Sequence, residues 1–274
     1  MDASEIARLA NYRRADVITM IHRAKAGHTG GALSSLDILS VLYYDVLNLR
    51  PQEPRWTGRD RFLLSKGHSV EGYIALLADR GFFPVKELRT FSQAGSRLIS
   101  HPNNKVPGLE MCTGALGHGL PVGVGMALGA KRDGKTFRTF VLMGDGELAE
   151  GSIWEAAMAG AHYGLDNLVA IIDRNGLQIS GGTESVMALE DLTAKWRAFG
   201  WEVTETDGHD IPGLLRYFHG LQAKGKPHCL IANTVKTKGL PFAENDPAWH
   251  HKVPNADQLQ NGYAALGVKG VIWA

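Results

Sequence analysis

Two short segments of the sequence combine residue types that suit the binding of a metal ion and a phosphate. MGDGE at residues 143–147 ends one apolar run, and DRNGL at residues 173–177 ends another. Glycines let the backbone approach a phosphate closely, and the N-terminal amides of a following helix favour negative charge. Parallel sheets bind ligands at the carboxyl ends of their strands, so both segments are candidates for one binding site.

The glycines by themselves allow two interpretations. Gly144-x-Gly146-x-x-Ala149 also satisfies the loose dinucleotide-binding fingerprint, and Asp173 follows the next strand, where a ribose-binding carboxylate belongs. Asp145 discriminates between the two, because its carboxylate would repel a pyrophosphate unless a cation lay between them. The simplest such cation is Mg²⁺.

The second segment supplies the oxygen atoms that Mg²⁺ prefers. Asn175 offers a side-chain carbonyl and Leu177 a main-chain carbonyl. Asp145 and Asn175 are 30 residues apart (175 − 145), which accommodates a strand end, a crossover helix and a second strand. We therefore predict that two neighbouring strand ends meet around one ion. The alternative is a tight turn and an Asn-Gly loop without a ligand.

The pattern around these segments predicts the elements that position them. Apolar runs alternate with helical periodicity, which favours an α/β fold with a parallel sheet covered by helices on both faces. The predicted strands are 137–143, 167–173, 201–205 and 228–235, and the helices between and before them are 119–131, 152–163, 189–199 and 211–221.

The first third of the chain reads as helices followed by a loop. Asp2 and Glu5 resemble a capping box that starts a helix reaching toward Gly27, and helices are also predicted over 36–47 and 70–79. Residues 99–119 are rich in Gly, Pro and Asn and show neither helical nor strand periodicity, so a long loop is predicted there. Long loops in compact domains often have a function. No repeat or low-complexity linker divides the chain. We expect one domain over 1–274 with an irregular tail at 253–274.

Composition excludes several classes of partner. Lys plus Arg number 29 and Asp plus Glu 28, so the net charge of +1 gives no reason to expect nucleic acid or an anionic membrane. Cys112 and Cys229 lack metal-ligand or redox spacing, which suits a reducing compartment. The N-terminus lacks a signal pattern, and no apolar run approaches the ~20 residues of a membrane span. A cytoplasmic location is expected.

Further motifs in the sequence resemble those of a known enzyme family. Gly-Asp-Gly at 144–146 followed by Asn175 resembles the metal–diphosphate signature of thiamine diphosphate enzymes. Other motifs resemble those of transketolases in order and approximate spacing, over nearly the whole chain. They are AGHTGG at 26–31, LSKGH at 64–68, SHP at 100–102, TGALG at 113–117 and WHHK at 249–252. The resemblance implies the diphosphate-binding domain of the thiamine diphosphate-binding fold, as the N-terminal subunit of a two-chain transketolase.

The same resemblance implies roles for individual residues. Asp145, Asn175 and the Leu177 carbonyl would bind Mg²⁺, which in turn clamps the diphosphate. His28 and His101 would face the donor and acceptor sugars, where imidazoles can hydrogen-bond hydroxyls and carbonyl oxygens. The remaining implied contacts to cofactor, diphosphate or substrate are His68, His250, Gly114, Leu116, Gly144, Gly146, Asn175, Ile179 and Glu150.

Four observations qualify these assignments. Any one of these histidines, taken alone, is better explained by a structural or exposed loop position, and only their joint match favours the functional roles. Glu150 resembles an acid that connects paired cofactor sites across the family dimer, although a helix N-terminus also favours a carboxylate. Thr29 stands where transketolases often carry Pro, and His118 where Gln is usual. The glycine spacings of four at 119–123 and 125–129 fit either an internal helix or a subunit interface.

The resemblance also implies a partner. Thiamine diphosphate chemistry needs a carboxylate against the aminopyrimidine ring, and the cofactor performs the difficult step. In the family, that glutamate and most sugar-phosphate-binding arginines belong to a C-terminal, pyrimidine-binding domain, for which the sequence leaves no room after Ala274. We expect a separate C-terminal subunit, sugar phosphate substrates and a heterotetramer with two copies of each chain.

Three functions are consistent with these patterns. The first is transfer of a two-carbon ketol unit from a ketose phosphate to an aldose phosphate. The second is another thiamine diphosphate enzyme, either a 2-oxoacid dehydrogenase α-subunit or a transketolase relative that acts on an unusual sugar. His28 and His101 argue against the dehydrogenase. The third is a non-catalytic partner subunit, against which the intact metal ligands argue.

Overall fold

The computed structural model describes all residues from Met1 to Ala274. Five parallel strands form the central sheet, in the order β1-β2-β3-β7-β6. The strands are β1 Arg61–Leu64, β2 Thr139–Gly144, β3 Leu168–Arg174, β6 Glu202–Asp207 and β7 His228–Asn233. The short strands β4 Leu177–Gln178 and β5 Gly181–Gly182 pair separately as an antiparallel ribbon.

Helices cover both faces of the sheet. They are α1 Ala3–Ala24, α2 Thr29–Ser34, α3 Leu36–Val41, α4 Val70–Asp79, α5 Gly119–Arg132, α6 Gly151–His162, α7 Thr183–Val186, α8 Leu192–Ala198, α9 Ile211–His219 and α10 Ala256–Ala265. None of them is both long and apolar enough to cross a membrane. The predicted α/β fold with a parallel, doubly covered sheet is confirmed.

Side chains of β1, β2, β3 and β7 alternate between two hydrophobic cores because successive residues of a strand point to opposite faces. Phe140 and Leu142 of β2 pack into the larger core, with helices α1, α3 and α4. Val141 and Met143 of the same strand pack into the smaller core, with α5, α6 and α8. The apolar runs that predicted β2 and β3 are therefore buried on both faces, as in other parallel sheets.

Register brings the two candidate segments together. In the pairing of β2 with β3, Gly144 lies opposite Asp173, so both strands end at the same edge of the sheet. Asp145 and Asn175 follow these ends directly. The prediction that the two strand ends are neighbours is confirmed.

Three predicted features differ from the structure. The tail at 253–274 is not irregular, because α10 occupies Ala256–Ala265 behind a capping box formed by Asn255 and Gln258. The helix predicted over 36–47 ends as α3 at Val41 and continues as a π-helical turn over Leu42–Val46. Strand β1 was not predicted. The loop predicted over 99–119 is present, without helix or strand as far as His118.

Candidate functional site

The Asp145 side chain accepts hydrogen bonds from the backbone after β2 and from the backbone after β3. This side chain is 1% exposed, one carboxylate oxygen accepts a hydrogen bond from the Gly146 amide at 2.8 Å, and the other accepts from the Gly176 amide at 2.6 Å. Arg174 donates to the second oxygen at 3.3 Å. Burial raises the pKa of Asp145, and the charge of Asp173 raises it further. A cation beside this carboxylate would offset both effects.

Asn175 and Leu177 present their oxygens beside Asp145. The Leu177 amide donates to Asn175 Oδ1 at 3.1 Å, and Asn175 Nδ2 donates to Asp173 Oδ2 at 3.1 Å, which fixes the orientation of the amide group. Lys236 Nζ donates to the Leu177 carbonyl at 3.2 Å. A carboxylate, an amide carbonyl and a main-chain carbonyl thus line one cavity, and this all-oxygen donor set fits Mg²⁺.

A cavity of about 440 Å³ opens at this edge of the sheet. That volume is within the usual range for small-molecule sites. The cavity brings together twelve of the thirteen predicted site residues. These are His28, His68, His101, Gly114, Leu116, Gly144, Asp145, Gly146, Asn175, Leu177, Ile179 and His250.

Glu150 is the predicted site residue that does not line the cavity. It is exposed at the N-terminus of α6, where its side chain makes no capping hydrogen bond. A Cβ added to Gly117, which has φ +82°, would lie 2.6 Å from the Glu150 Cβ. Glu150 therefore packs behind the long loop rather than against the cavity. Its predicted link across a dimer stays a prediction.

Glu147 is a buried acid of the site to which the sequence pattern assigned no role. Its carboxylate accepts hydrogen bonds from the Gly117 amide at 2.9 Å, from the Gly144 amide at 3.1 Å and from the Ser65 hydroxyl. Burial raises the pKa of Glu147. The side chain ties the long loop to the end of β2, so it holds the cavity wall in place.

The backbone amides of Gly144 and Gly146 make hydrogen bonds within the chain. The Gly144 amide donates to Glu147 and the Gly146 amide donates to Asp145, so both amides already have partners within the chain. A short 3₁₀ turn over Gly146–Ala149 separates β2 from α6. Gly144 and Gly146 both line the cavity, and their predicted contact with a diphosphate stays a prediction.

Asp173 is not available as a ribose-binding carboxylate. It is completely buried, and Oδ2 accepts from Lys66 Nζ at 2.5 Å and from the Ser34 hydroxyl at 2.6 Å. Lys66 also donates to the Gly31 carbonyl at 2.8 Å. Burial raises the pKa of Asp173, but the Lys66 charge and these hydrogen bonds outweigh it and keep the pKa below its ordinary value. The dinucleotide interpretation is therefore excluded.

Two lysines of the cavity were missed from the sequence. Lys66 precedes the Gly67-His68 motif, and Lys236 follows the end of β7; both line the cavity. Burial lowers the pKa of Lys236. A cationic side chain at Lys236 would favour the negative charge of a diphosphate beside the metal ligands. For Lys66, the available signal was a basic residue inside the LSKGH motif.

Histidines form the wall opposite the metal-binding segment. The ring centroid of His28 lies 5.4 Å from that of His68, 5.9 Å from His101 and 5.8 Å from His250. His68 and His250 stack at 5.0 Å. His251, which was not predicted, lies 4.6 Å from His28. No group of three His, Cys, Asp or Glu side chains in the chain is arranged to bind a metal, so these imidazoles are not a transition-metal site.

Burial and mutual proximity lower the pKa values of His28 and His250. Burial lowers the pKa of His28 to about 4, and the neighbouring His251, His250 and His101 contribute to the shift. Burial and Lys236 lower the pKa of His250 to about 4. Neutral imidazoles present one donor and one acceptor nitrogen each, which suits hydroxyl and carbonyl groups of a sugar.

The lowered pKa of His250 predicts a pH-dependent stability. The folded chain binds fewer protons at this site than the unfolded chain between pH 6.5, the ordinary pKa, and about 4. The contribution of neutral His250 to the free energy of unfolding is therefore fully present above pH 6.5 and is lost as the pH falls toward 4. We expect the wild type to lose free energy of unfolding relative to His250→Asn over this interval, in urea titrations at pH 7.5, 6, 5 and 4.5. Exposed His162→Asn is the control, and a constant difference between wild type and His250→Asn would contradict the prediction.

The two departures from the family pattern lie outside the cavity lining. Thr29 is completely buried, and its hydroxyl donates to the Lys252 carbonyl at 2.7 Å, which ties the His28 turn to the WHHK segment. His118 is exposed at the start of α5, where its Nδ1 lies 3.0 Å from the Leu116 carbonyl.

Comparison with known proteins identifies the family of the chain. Residues 6–271 match the family model described as "Transketolase, thiamine diphosphate binding domain". An apulose-4-phosphate transketolase subunit of Phocaeicola vulgatus is 51% identical over 248 residues, which cover 90% of this chain and 88% of that protein. The 6-deoxy-6-sulfo-D-fructose transketolase subunit SqwG of a Clostridium species is 38% identical, with coverage of 95% and 96%.

Solved structures agree as well. The transketolase of Campylobacter jejuni superposes with a TM-score of 0.93 and 30% identity, over 98% of this chain and 43% of that one. The chain thus spans about two fifths of the length of that structure. The family match, the relatives and the solved structures together show that the chain belongs to the transketolase family, whose thiamine diphosphate-binding domain it contains.

Proposed function

We propose that this chain is the cofactor-binding subunit of a two-chain transketolase. In the assembled enzyme it transfers a two-carbon ketol unit from a ketose phosphate to an aldose phosphate. The observation that carries the proposal is a single cavity lined both by Asp145, Asn175 and Leu177 and by four histidines. Bound thiamine diphosphate would supply the carbon nucleophile that such a transfer requires.

The metal-binding edge would hold the diphosphate end of the cofactor. Mg²⁺ on Asp145, Asn175 and the Leu177 carbonyl would neutralise the phosphate oxygens. Lys236 lies within 3.2 Å of the Leu177 carbonyl and 3.4 Å of His250 Nδ1, so its ammonium group is next to the same edge. This chain's contribution at that edge is to bind and orient.

The histidine wall would hold the sugar. His28, His101 and His68 line the same cavity as the metal ligands, and their rings can hydrogen-bond oxygens that change proton number during ketol transfer. A 2-oxoacid dehydrogenase α-subunit has no sugar hydroxyls to orient, so this wall favours the transketolase function. A non-catalytic subunit would have no need for the convergent oxygen ligands.

A second subunit would complete the site. The acidic side chains that line the cavity are Asp145 and Glu147, and both carboxylates accept hydrogen bonds from backbone amides of this chain. We propose that the glutamate facing the aminopyrimidine ring comes from a C-terminal partner chain. The names of two relatives, each a transketolase subunit, support a separate partner. A heterotetramer with two copies of each chain is the proposed assembly.

The relatives suggest which sugars to test. One is named for apulose 4-phosphate and another for 6-deoxy-6-sulfo-D-fructose. The 51% identity to the first favours an unusual, branched ketose phosphate as a second candidate donor beside xylulose 5-phosphate.

The test is reconstitution with a candidate C-terminal transketolase subunit that carries the pyrimidine-binding domain. Donors are xylulose 5-phosphate, apulose 4-phosphate and 6-deoxy-6-sulfofructose, and acceptors are ribose 5-phosphate and glyceraldehyde 3-phosphate. We expect ketol transfer that requires both chains, thiamine diphosphate and Mg²⁺. His101→Ala should lower kcat/KM by about 100-fold, at the low end of the range for acid–base groups, whereas exposed His162→Ala should not. Absence of transfer with every pair of sugars would refute the proposal.

A further inference from the structure

Glu71 is a buried carboxyl group directly behind the histidine wall. It lies in the first turn of α4 and is 0% exposed. Its Oε1 accepts a hydrogen bond from the His28 backbone amide at 2.8 Å. The backbone of Gly27 lies close to the Glu71 carboxyl group. Gly27 has a φ of +145°, and a Cβ added to it would lie 2.8 Å from Glu71 Oε1. Any side chain at position 27 would therefore displace the carboxyl group from His28.

Two polar atoms between Glu71 and His28 lack partners. Glu71 Oε2 and His28 Nδ1 are both buried, and neither makes a hydrogen bond. The Nδ1 atom is 4.0 Å from Glu71 Oε1. Unpaired buried polar atoms each cost about 1–3 kcal/mol, so an unpaired Nδ1 that lies 4.0 Å from Oε1 of this carboxyl group indicates a hydrogen bond that this side-chain arrangement leaves open.

Closing that hydrogen bond requires a movement of about 1 Å, from 4.0 Å to the ordinary range. The terminal torsion of a glutamate is broad, so rotation of the carboxyl group can supply it. Hydrogen bonds within functional sites are often long before a ligand binds. The geometry therefore permits a direct Glu71–His28 contact without backbone movement.

The charge state of the pair follows from the surroundings. His28 is the basic group within 4.0 Å of the Glu71 carboxyl, and no Lys or Arg pairs with it. Burial raises the pKa of Glu71 to about 8, and burial lowers the pKa of His28 to about 4. At neutral pH the pair is a carboxylic acid beside a neutral imidazole, and the acid proton needs an acceptor.

We propose that Glu71 is a positioning residue for His28: its carboxylic acid donates a hydrogen bond to His28 Nδ1 and fixes the ring as the tautomer protonated on Nε2. His28 lines the cavity, and its Nε2 makes no hydrogen bond within the protein and is not among the buried unpaired atoms. The Nε2–H group therefore points a fixed donor into the cavity. On the proposed function, that donor contacts an oxygen of the sugar.

The primary test needs neither partner nor substrate. Long-range ¹H–¹⁵N spectra of the histidine-labelled chain at pH 7 report which ring nitrogen carries the proton, and a His28→Asn spectrum assigns the His28 signals by their loss. We expect a protonated Nε2 and an unprotonated Nδ1 that accepts a hydrogen bond. A His28 ring protonated on Nδ1, or an equal mixture of tautomers, would overturn the proposal in the wild-type chain alone.

Two variants separate positioning from mere packing. Glu71→Gln keeps a donor for Nδ1 and an acceptor for the His28 amide, so we expect the wild-type tautomer. Glu71→Leu keeps volume without a donor, so we expect a tautomer mixture even where circular dichroism shows an intact fold. An Nε2–H tautomer retained by folded Glu71→Leu would contradict the proposal. If that variant does not fold, the wild-type and Glu71→Gln spectra decide.

Activity provides a second measurement that rests on the proposed function. Partners that orient a functional histidine typically contribute about 10- to 100-fold. In the reconstituted enzyme, Glu71→Leu should lower kcat by that range, and Glu71→Gln should restore most of it. If no ketol transfer occurs even with wild type, the proposed function fails while the tautomer result stands. Equal kcat for Glu71→Leu and wild type would count against the positioning role.

Discussion

Asp145→Ala is expected to abolish Mg²⁺-dependent binding of thiamine diphosphate to the assembled complex. The substitution removes the one carboxylate of the all-oxygen set that lines the cavity. Because residues that merely support a metal ligand already contribute about 10- to 100-fold to affinity, loss of a ligand itself should exceed about 100-fold. Calorimetric titration of the cofactor, with and without Mg²⁺, measures the effect.

Controls are needed because Asp145 also accepts hydrogen bonds from Gly146 and Gly176. Asp145→Asn keeps one oxygen and should give an intermediate loss, whereas exposed Asp133→Ala should bind like wild type. Thermal unfolding of each variant checks that the chain is intact. Unchanged cofactor affinity in folded Asp145→Ala would disprove the ligand assignment.

Lys66→Met should lower the free energy of unfolding by about 3–5 kcal/mol, the usual cost of leaving a buried charge without its partner. Asp173 is fully buried, and its ion pair with Lys66 is 2.5 Å long. Urea denaturation at pH 7 measures the change. Replacing both residues, as Lys66→Met with Asp173→Leu, should cost less than the sum of the single variants because no charge is stranded.

An exposed ion pair on the same chain serves as the comparison. Lys131 lies 2.7 Å from Asp166, with about a third of the lysine side chain exposed. Lys131→Met should cost less than about 1 kcal/mol because solvent screens the pair. Two results would contradict the prediction that the Lys66–Asp173 ion pair stabilises the fold. One is a loss of unfolding free energy in Lys66→Met no larger than in Lys131→Met, and the other is simple additivity of the losses from the changes at Lys66 and Asp173.

Sequence periodicity predicted the elements that are long and buried on one or both faces. Residues 70–79 match α4, and the apolar runs match β2 and β3 within two residues. Strand β1 was missed because it has four residues, too few to establish a pattern. Helix α10 was missed although Asn255 and Gln258 carry a capping box, a signal that was available in the sequence.

Residue types at strand ends predicted the metal-binding edge of the cavity, and the resemblance to transketolases implied its histidines. Asp145 and Asn175 could be placed together because parallel strands share an edge. Glu147, Lys66 and Asp173 could not be assigned, because their roles depend on contacts between distant segments. The Lys66–Asp173 pair joins positions 107 residues apart, and Glu147 reaches 30 residues back to Gly117. No local pattern encodes such contacts.

The hydrogen bonds that orient Asp145 and Asn175 have a further consequence for the thermodynamics of binding. Backbone amides of Gly146, Gly176 and Leu177 hold the oxygens of both side chains in place within the chain itself. A metal ion arriving at this edge would therefore not need to immobilise either side chain, and little rotamer entropy would be lost on association. The metal-binding edge of the sheet is in this sense preorganised. We therefore expect the cofactor to exchange without local unfolding of the chain.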